Sequence, residues 1–273
     1  MDTSAKRAKK QSASLPDPHN VSNTLDAETS ARIVERLESR GKDEVFRRLF
    51  LGFFPQLYDR DHVLEIGCGT GVVLRSLIKD TCFKGKATGM DQSAAFIDAA
   101  RQLAAGEGLP SERLSFAEAD AHRLPMGKYD AVVLNTLISH VSDPAAVLSQ
   151  AAAVATTNAL LIVMDGDYGS LTFAHPEDPE LGRKMDRSFV SAVYAQPDAI
   201  RELAGRLAPA GWRLDSVRSQ CVSEVGGHAQ ASYWLSFAKA YMPRVVQAGL
   251  VTLEQVEGWW CAQQRAIDEG RFF

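Results

Sequence analysis

The stretch VLEIGCGTG, Val63 to Gly71, decides how the rest of this chain is read. It opens as an apolar run broken only by Glu65, then places glycine at 67, 69 and 71. A short, nearly continuous apolar run suits a strand covered on both faces of a parallel sheet. Alternate glycines let the main chain turn through positive φ and let a ligand lie against bare backbone. The run VVLRSLIKD that follows reads as a helix, whose first N–H groups have no partners within it. In an open parallel sheet, ligands bind beyond the carboxyl ends of the strands, where the strand order reverses.

Downstream the alternation continues. KATGMD reads as a strand and SAAFIDAARQLAAG as a helix closed by glycine. RLSFAEAD and YDAVVLN read as strands. PAAVLSQAAAVA reads as a helix with proline at its favoured first position, and ALLIVMD as a strand. Such repeats imply right-handed crossovers and an α/β fold with a doubly wound, mostly parallel sheet. Trp212–Val222 alternates like a sixth strand, and no seventh is legible after it. The expected organisation is a disordered tail over 1–25, a helical N-terminal lid over 26–58, a core over 59–225 and a helical segment over 226–273.

The bulk numbers bound the function. The chain has 273 residues, 45% hydrophobic and 23% charged, enough for one large domain or one with a smaller appendage. Lys and Arg total 30 against 34 Asp and Glu, a net charge of -4, which argues against a nucleic-acid partner. No run reaches the roughly 18 apolar residues of a membrane span. Cys68, Cys82, Cys221 and Cys261 form no CxxC pair or zinc spacing, so reduced thiols in a cytoplasmic protein, and no metal, are expected. Lys6, Arg7, Lys9 and Lys10 precede a Ser/Pro-rich stretch without an apolar signal region. Asn20-Val21-Ser22 fits a glycosylation sequon, which means little without a secretory signal.

The acids narrow the ligand. A dinucleotide site has G-x-G-x-x-G, whereas this loop has G-x-G-x-G and Glu65 in front of it. A carboxylate there would repel a pyrophosphate and suits a cation such as an amino acid's ammonium. Asp91 ends the second strand, where a carboxylate accepts ribose hydroxyls. Asp120 ends the third, followed by Ala121, a side-chain acceptor and an N–H that can read an adenine edge. Asn135 and Thr136 end the fourth. A glycine turn, a ribose acid, an adenine acid and a cationic amino-acid end together describe S-adenosylmethionine.

VLEIGCGTG, ATGMDQS, EADAHRLP and YDAVVLNTLISHVSDP, in this order and spacing, resemble the motifs of the class I SAM-dependent methyltransferases. They look closest to the small-molecule group that includes the ubiquinone and menaquinone biosynthesis (type 11) enzymes. The resemblance runs from about Tyr58 to Asp165 and implies a Rossmann-like SAM methyltransferase fold with extra terminal helices. It also implies that Glu65, Gly67, Cys68, Gly69 and Gly71 line the methionine moiety. Asp91 would bind the ribose, Gln92 flank the adenine, Asp120 and Ala121 hold the adenine amino end, and Asn135 and Thr136 face the sulfonium. The family's sheet ordinarily closes with a sixth and seventh strand, so a missing seventh is a departure.

The acceptor side is less determined. His140, just past the fourth strand, reads either as a base or as an imidazole bonded to a loop carbonyl. Asp165, Asp167 and Tyr168 read either as a grip on a polar or cationic substrate or as an Asp/Gly-rich turn. His175 and His228 read as surface histidines. Phe50, Phe53, Phe54, Tyr233 and Trp234 fit either a lid or ordinary core stripes, and the C-terminal helices also suit a homodimer surface. The leading expectation is methyl transfer to a small organic molecule, nitrogen or oxygen favoured. The rivals are a catalytically silent SAM-fold regulatory subunit and a nicotinamide-dependent oxidoreductase.

Overall fold

The structure, a computed structural model, describes residues 17, 19, 21–173, 175, 177–227 and 232–273. His228, Asn20 and the basic run at Lys6–Lys10 lie outside them. Two helices come first, α1 (Ala27–Lys42) and α2 (Glu44–Leu51). Then follow β1 (His62–Ile66), α3 (Val72–Lys79), β2 (Lys86–Asp91), α4 (Ala94–Gly106), β3 (Leu114–Glu118) and β4 (Tyr129–Asn135). After these come α5 (Pro144–Val154), β5 (Ala155–Met164), α6 (Pro179–Val193), α7 (Ala199–Leu207), α8 (Ser232–Gln247) and α9 (Leu253–Asp268).

The strands form one five-stranded sheet in the order β3-β2-β1-β4-β5, and every pairing is parallel. The order reverses between β1 and β4, which is where ligand sites arise in such sheets. Both faces are covered. Val63, Ala87, Ala131 and Val133 face one cluster with α3, α4 and the aromatics ahead of β1. Leu64, Ile66, Val132 and Leu134 face the other, with α5 and α7. Full burial of a Leu or Phe side chain contributes about 1.5–3 kcal/mol, so these two layers carry most of the sheet's stability. Phe50, Phe53 and Phe54, at 3%, 7% and 1% exposure, belong to the first cluster. They take the core alternative, with Phe50 of α2 and Phe53 and Phe54 of the turn after it packed into that cluster.

The expected sixth strand is absent among the described residues. Trp212 is pinned by its Nε1–H donating to the Leu148 carbonyl at 3.0 Å. From 213 to 221 the chain then runs exposed, with Leu214 and Val217 at 49% and 76%. Alternation marks a segment with two faces; a strand also needs a neighbour to pair with, and none lies beside this one. β5 is longer than expected, beginning at Ala155 where a helix end was read. Its register against β4 shifts between Tyr129 and Ala131, and Asn158 takes the left-handed φ of 62°.

The chain divides into two compact units. One gathers Asp17–Leu171 and Tyr194–Ser223, and so contains the whole sheet. The other gathers Thr172–Val193 and Glu224–Phe273, so α6 clusters with α8 and α9, not with the expected 59–225 core. Within that second unit His175 is caged. Its Nε2 lies 3.3 Å from Asp186, and its Nδ1 accepts from Trp259 Nε1–H at 3.2 Å. The expectation of a surface histidine fails here, because a buried imidazole with both nitrogens engaged holds helices together. The last residues fold back on this unit, where Gly226 N–H donates to the Phe272 carbonyl at 3.0 Å.

Candidate active site

The carboxyl ends of β1, β2, β4 and β5 bring Glu65, Asp91, Asn135 and Asp165 to one edge of the sheet. The glycine loop sits there by necessity of backbone. Gly67, Gly69 and Gly71 take φ of 71°, 53° and 73°, a region L-residues avoid. A Cβ on Gly67 would meet the Leu137 side chain at 2.6 Å, and one on Gly71 would run into the Phe116 ring. The loop is tied across to β2, since the Gly67 and Cys68 N–H groups both donate to the Met90 carbonyl at 2.7 and 3.0 Å. Cys68 is buried, and burial pushes its thiol pKa well up, so it acts as a small apolar filler.

α1 braces the loop. Thr70 Oγ1–H donates to Glu38 at 2.5 Å, and Glu38 in turn pairs with Arg75 of α3, which also pairs with Glu107. Arg75 Nε–H donates to the Thr70 carbonyl at 3.2 Å. From the same helix, Arg40 donates to Thr136 Oγ1 at 3.1 Å. Thr136 itself has φ 52°, a strained value for a β-branched residue, and strain of that kind concentrates at functional sites. None of α1's anchoring residues was legible as such in the sequence, because they act through tertiary contacts only.

Glu65 is 2% exposed, yet its Oε2 has no hydrogen-bond partner, and neither has Asn135 Oδ1. Burial raises the Glu65 pKa well above its ordinary value, against the opposing Asn135 hydrogen bond and with help from Asp91's charge. Asp91 accepts from Gly69 N–H at 2.9 Å and Ser93 N–H at 3.0 Å; burial still lifts its pKa. A carboxylate has about four acceptor positions, so both acids keep capacity for a ligand. Gln92 Nε2–H donates to the His19 carbonyl at 3.1 Å.

Asp120 stands apart from this cluster. It is exposed and caps a turn, accepting from His122 N–H at 2.9 Å, and that bond lowers its pKa. It lies two residues past the end of β3, while Ala121 packs with the second core layer.

On the acceptor side, Asp165 accepts from Ser139 N–H at 2.9 Å, Ser139 Oγ–H at 3.0 Å and Gly166 N–H at 2.8 Å. Burial raises its pKa against the lowering effect of His140 and these bonds. It thereby fixes the loop that carries His140. Asp167 is partly exposed and pairs with Arg201 at 2.8 Å. Tyr168 stacks on Tyr194, centroids 3.7 Å apart and 12° from parallel, and faces the His140 ring at 6.5 Å. His140 is 9% exposed, with Nδ1 at 2.9 Å from Asp17 Oδ2. Asp17 was read as part of a disordered tail; a Pro-flanked Asp carries no periodicity, so no pattern pointed to it.

Residues 64–161 match the family described as a methyltransferase domain. An uncharacterized 37.1 kDa protein in transposon TN4556 of Streptomyces fradiae is 28% identical over 201 residues, covering 73% of this chain and 56% of that protein. The O-methyltransferase cnsE of Penicillium expansum is 29% identical over 127 residues, covering 45% of this chain and 43% of that one. The chain thus spans about half the length of the curated relatives it matches. Among solved structures, the [4+2]-cyclase SpnF superposes with a TM-score of 0.55 at 15% identity, over 95% of this chain and 96% of that one. The YcgJ protein of Bacillus subtilis gives 0.54 at 16% identity, over 82% and 86%. At such identities the likeness is one of fold. The residues that match that family run from β1 into β5 and include the glycine loop, Glu65, Asp91 and Asn135. The methyl donor implied by the match is S-adenosylmethionine. The orphaned Glu65 oxygen beside a glycine loop fits the ammonium end of that group. No helix among the described residues is long and apolar enough to cross a membrane.

Proposed function

We propose that this chain transfers a methyl group from S-adenosylmethionine to a small organic molecule through a nitrogen or oxygen acceptor. The observation that carries the reading is Glu65, a buried carboxyl with an unpartnered oxygen at the mouth of a positive-φ glycine loop. S-adenosylmethionine supplies a methyl already activated on a sulfonium. The chain's task is therefore to bind, orient and exclude water, which can account for much of the rate. Glu65 and the backbone of Gly67, Cys68, Gly69 and Gly71 hold the amino-acid end, Asp91 the ribose and Gln92 the base. Asp120 with Ala121 meets the adenine amino edge, and Asn135 and Thr136 lie toward the sulfonium. Asp165 and Tyr168 wall the acceptor pocket, and Asp167 grips a polar acceptor at its outer edge. The acidic balance favours a small molecule over a nucleic acid, the dispersed cysteines a cytoplasmic site of action, and the C-terminal helices a homodimer detectable by light scattering.

Calorimetric titration tests the reading: S-adenosylhomocysteine binds and NADH does not. The reverse result would assign the loop to a nicotinamide cofactor. A raised Glu65 pKa adds a sharper sign. An arriving ammonium favours the ionised carboxylate, so binding releases a proton, and the heat of binding varies with the buffer's ionisation enthalpy. A second reading rests on the fold likeness to a protein titled a [4+2]-cyclase. In that case S-adenosylhomocysteine binds, but radiolabelled methyl reaches no acceptor.

A further inference from the structure

We infer that the acceptor is a hydroxyl, deprotonated by His140 Nε2, and that Asp17 is the positioning residue which makes His140 a base. This rests on the methyltransferase reading above and deepens it. The geometry is that of an oriented imidazole. Asp17 Oδ2 sits 2.9 Å from His140 Nδ1 and also accepts from Ala195 N–H at 3.0 Å, while Oδ1 accepts from His19 N–H at 2.8 Å. With a carboxylate on one side, Nδ1 carries the proton and Nε2 keeps its lone pair. Among the described residues no hydrogen bond reaches Nε2. The ring is fixed between His19, at 4.5 Å, and Tyr194, at 5.2 Å. Its backbone is fixed too, by His140 N–H on the Leu137 carbonyl at 2.9 Å and by the Ser139–Asp165 bonds.

Desolvation lowers the His19 pKa to about 3, so that ring stays neutral beside the dyad. Burial pushes Asp17 up, but its interactions with His140 and the His19 N–H outweigh it, leaving the carboxyl below its ordinary value and ionised. Asp165 and, at the rim of the ring, Tyr168 complete the groups facing His140. A neutral amine with a free lone pair needs no such base, whereas an alcohol or phenol does. In the step, the hydroxyl proton passes to Nε2 as the oxygen takes the methyl. The C–O bond forms, the C–S bond breaks, and its electron pair stays on sulfur as a neutral thioether. The imidazolium beside Asp17 then returns its proton to water.

The test pairs a spectroscopic readout with a kinetic one. In protein labelled with 15N-histidine, the signal that disappears in His140→Gln should show the Nδ1–H tautomer, and Asp17→Ala should shift it toward Nε2–H. An Nε2–H tautomer in the unaltered protein, or no change in Asp17→Ala, overturns the assignment. Asp17→Asn keeps the side chain's shape and one acceptor oxygen, for either the His19 or the Ala195 amide, and guards against loss of the arm. Against a panel of phenols, alcohols and amines with radiolabelled methyl donor, transfer should go to hydroxyls. His140→Gln should lower kcat by about 10²–10⁴-fold, and Asp17→Asn by at least about tenfold, with S-adenosylhomocysteine affinity unchanged. S-adenosylhomocysteine binding with transfer to amines alone would sink the base and leave the methyltransferase reading standing; no binding at all would sink that reading itself.

Discussion

The two halves of the site spend their carboxylates differently. On the donor side, Glu65 is buried with one oxygen unpartnered, and Asn135 Oδ1 beside it is likewise unspent. On the acceptor side, Asp165 accepts three hydrogen bonds, two from Ser139 and one from Gly166, and Asp17 three from its surroundings. A buried polar atom left unmatched costs about 1–3 kcal/mol, so it persists only where something else repays it. On the proposed reading, unspent capacity marks where the ligand binds, and saturated acids mark what holds the site in shape. The glycine loop belongs to the first half by position and to the second by construction, since Arg75, Glu38 and Thr70 brace it from behind.

Substitution can break this contrast, and the loop should give the largest effect. Gly71→Ala sets a Cβ into the Phe116 ring at a φ of 73°. Overpacking and left-handed strain together should cost about 3–5 kcal/mol in urea unfolding and abolish S-adenosylhomocysteine binding. Arg75→Ala comes next. Arg75 is buried at 5% side-chain exposure while Glu38 and Glu107 are 20% and 28% exposed, so the carboxylates it leaves behind are partly solvated. About 2–3 kcal/mol of stability should be lost, toward the lower end for a broken buried pair.

Glu65→Gln sharpens the contrast, because stability and binding should move in opposite directions. Removing the negative partner of an ammonium should weaken binding by roughly 1.5–3 kcal/mol, about tenfold to a hundredfold. Stability should rise instead. The folded pKa of Glu65 lies above the unfolded one, so its favourable contribution is complete below the ordinary value of 4.5 and fades as pH climbs beyond it. The stability gain of the variant over the parent should then be larger at pH 8 than at pH 5. Equal gains at both would mean that the carboxyl is not strained by burial.

The donor half was legible in the sequence and the acceptor half largely was not. β1, β2 and β4 follow the apolar runs residue for residue, and a parallel sheet delivers the ends of its strands to one edge without further information. Glu65, Asp91 and Asn135 could thus be placed from spacing alone. Asp17, His19 and Tyr194 come to His140 through chain reversals that leave no periodic trace. Alternation over 212–222 misled for a related reason: it reports the two faces of a segment and says nothing of a partner. His175 misled because a loop position in sequence does not disclose an Asp186 acceptor on the next helix and a Trp259 donor 84 residues along the chain.

Asp167 gives the smallest effect and the finest cut between the halves. Its carboxylate meets Arg201 at 2.8 Å, with the two side chains 39% and 52% exposed. An exposed pair of this kind contributes about 0.2–1 kcal/mol, so Asp167→Ala should shift the urea midpoint only slightly. Its effect on catalysis separates two roles for the turn after β5. If the carboxylate reaches an acceptor, KM for that acceptor rises while S-adenosylhomocysteine affinity holds. If Arg201 consumes it, kcat and KM both stay at the parental values, and Asp167 shapes the turn without touching what the site binds.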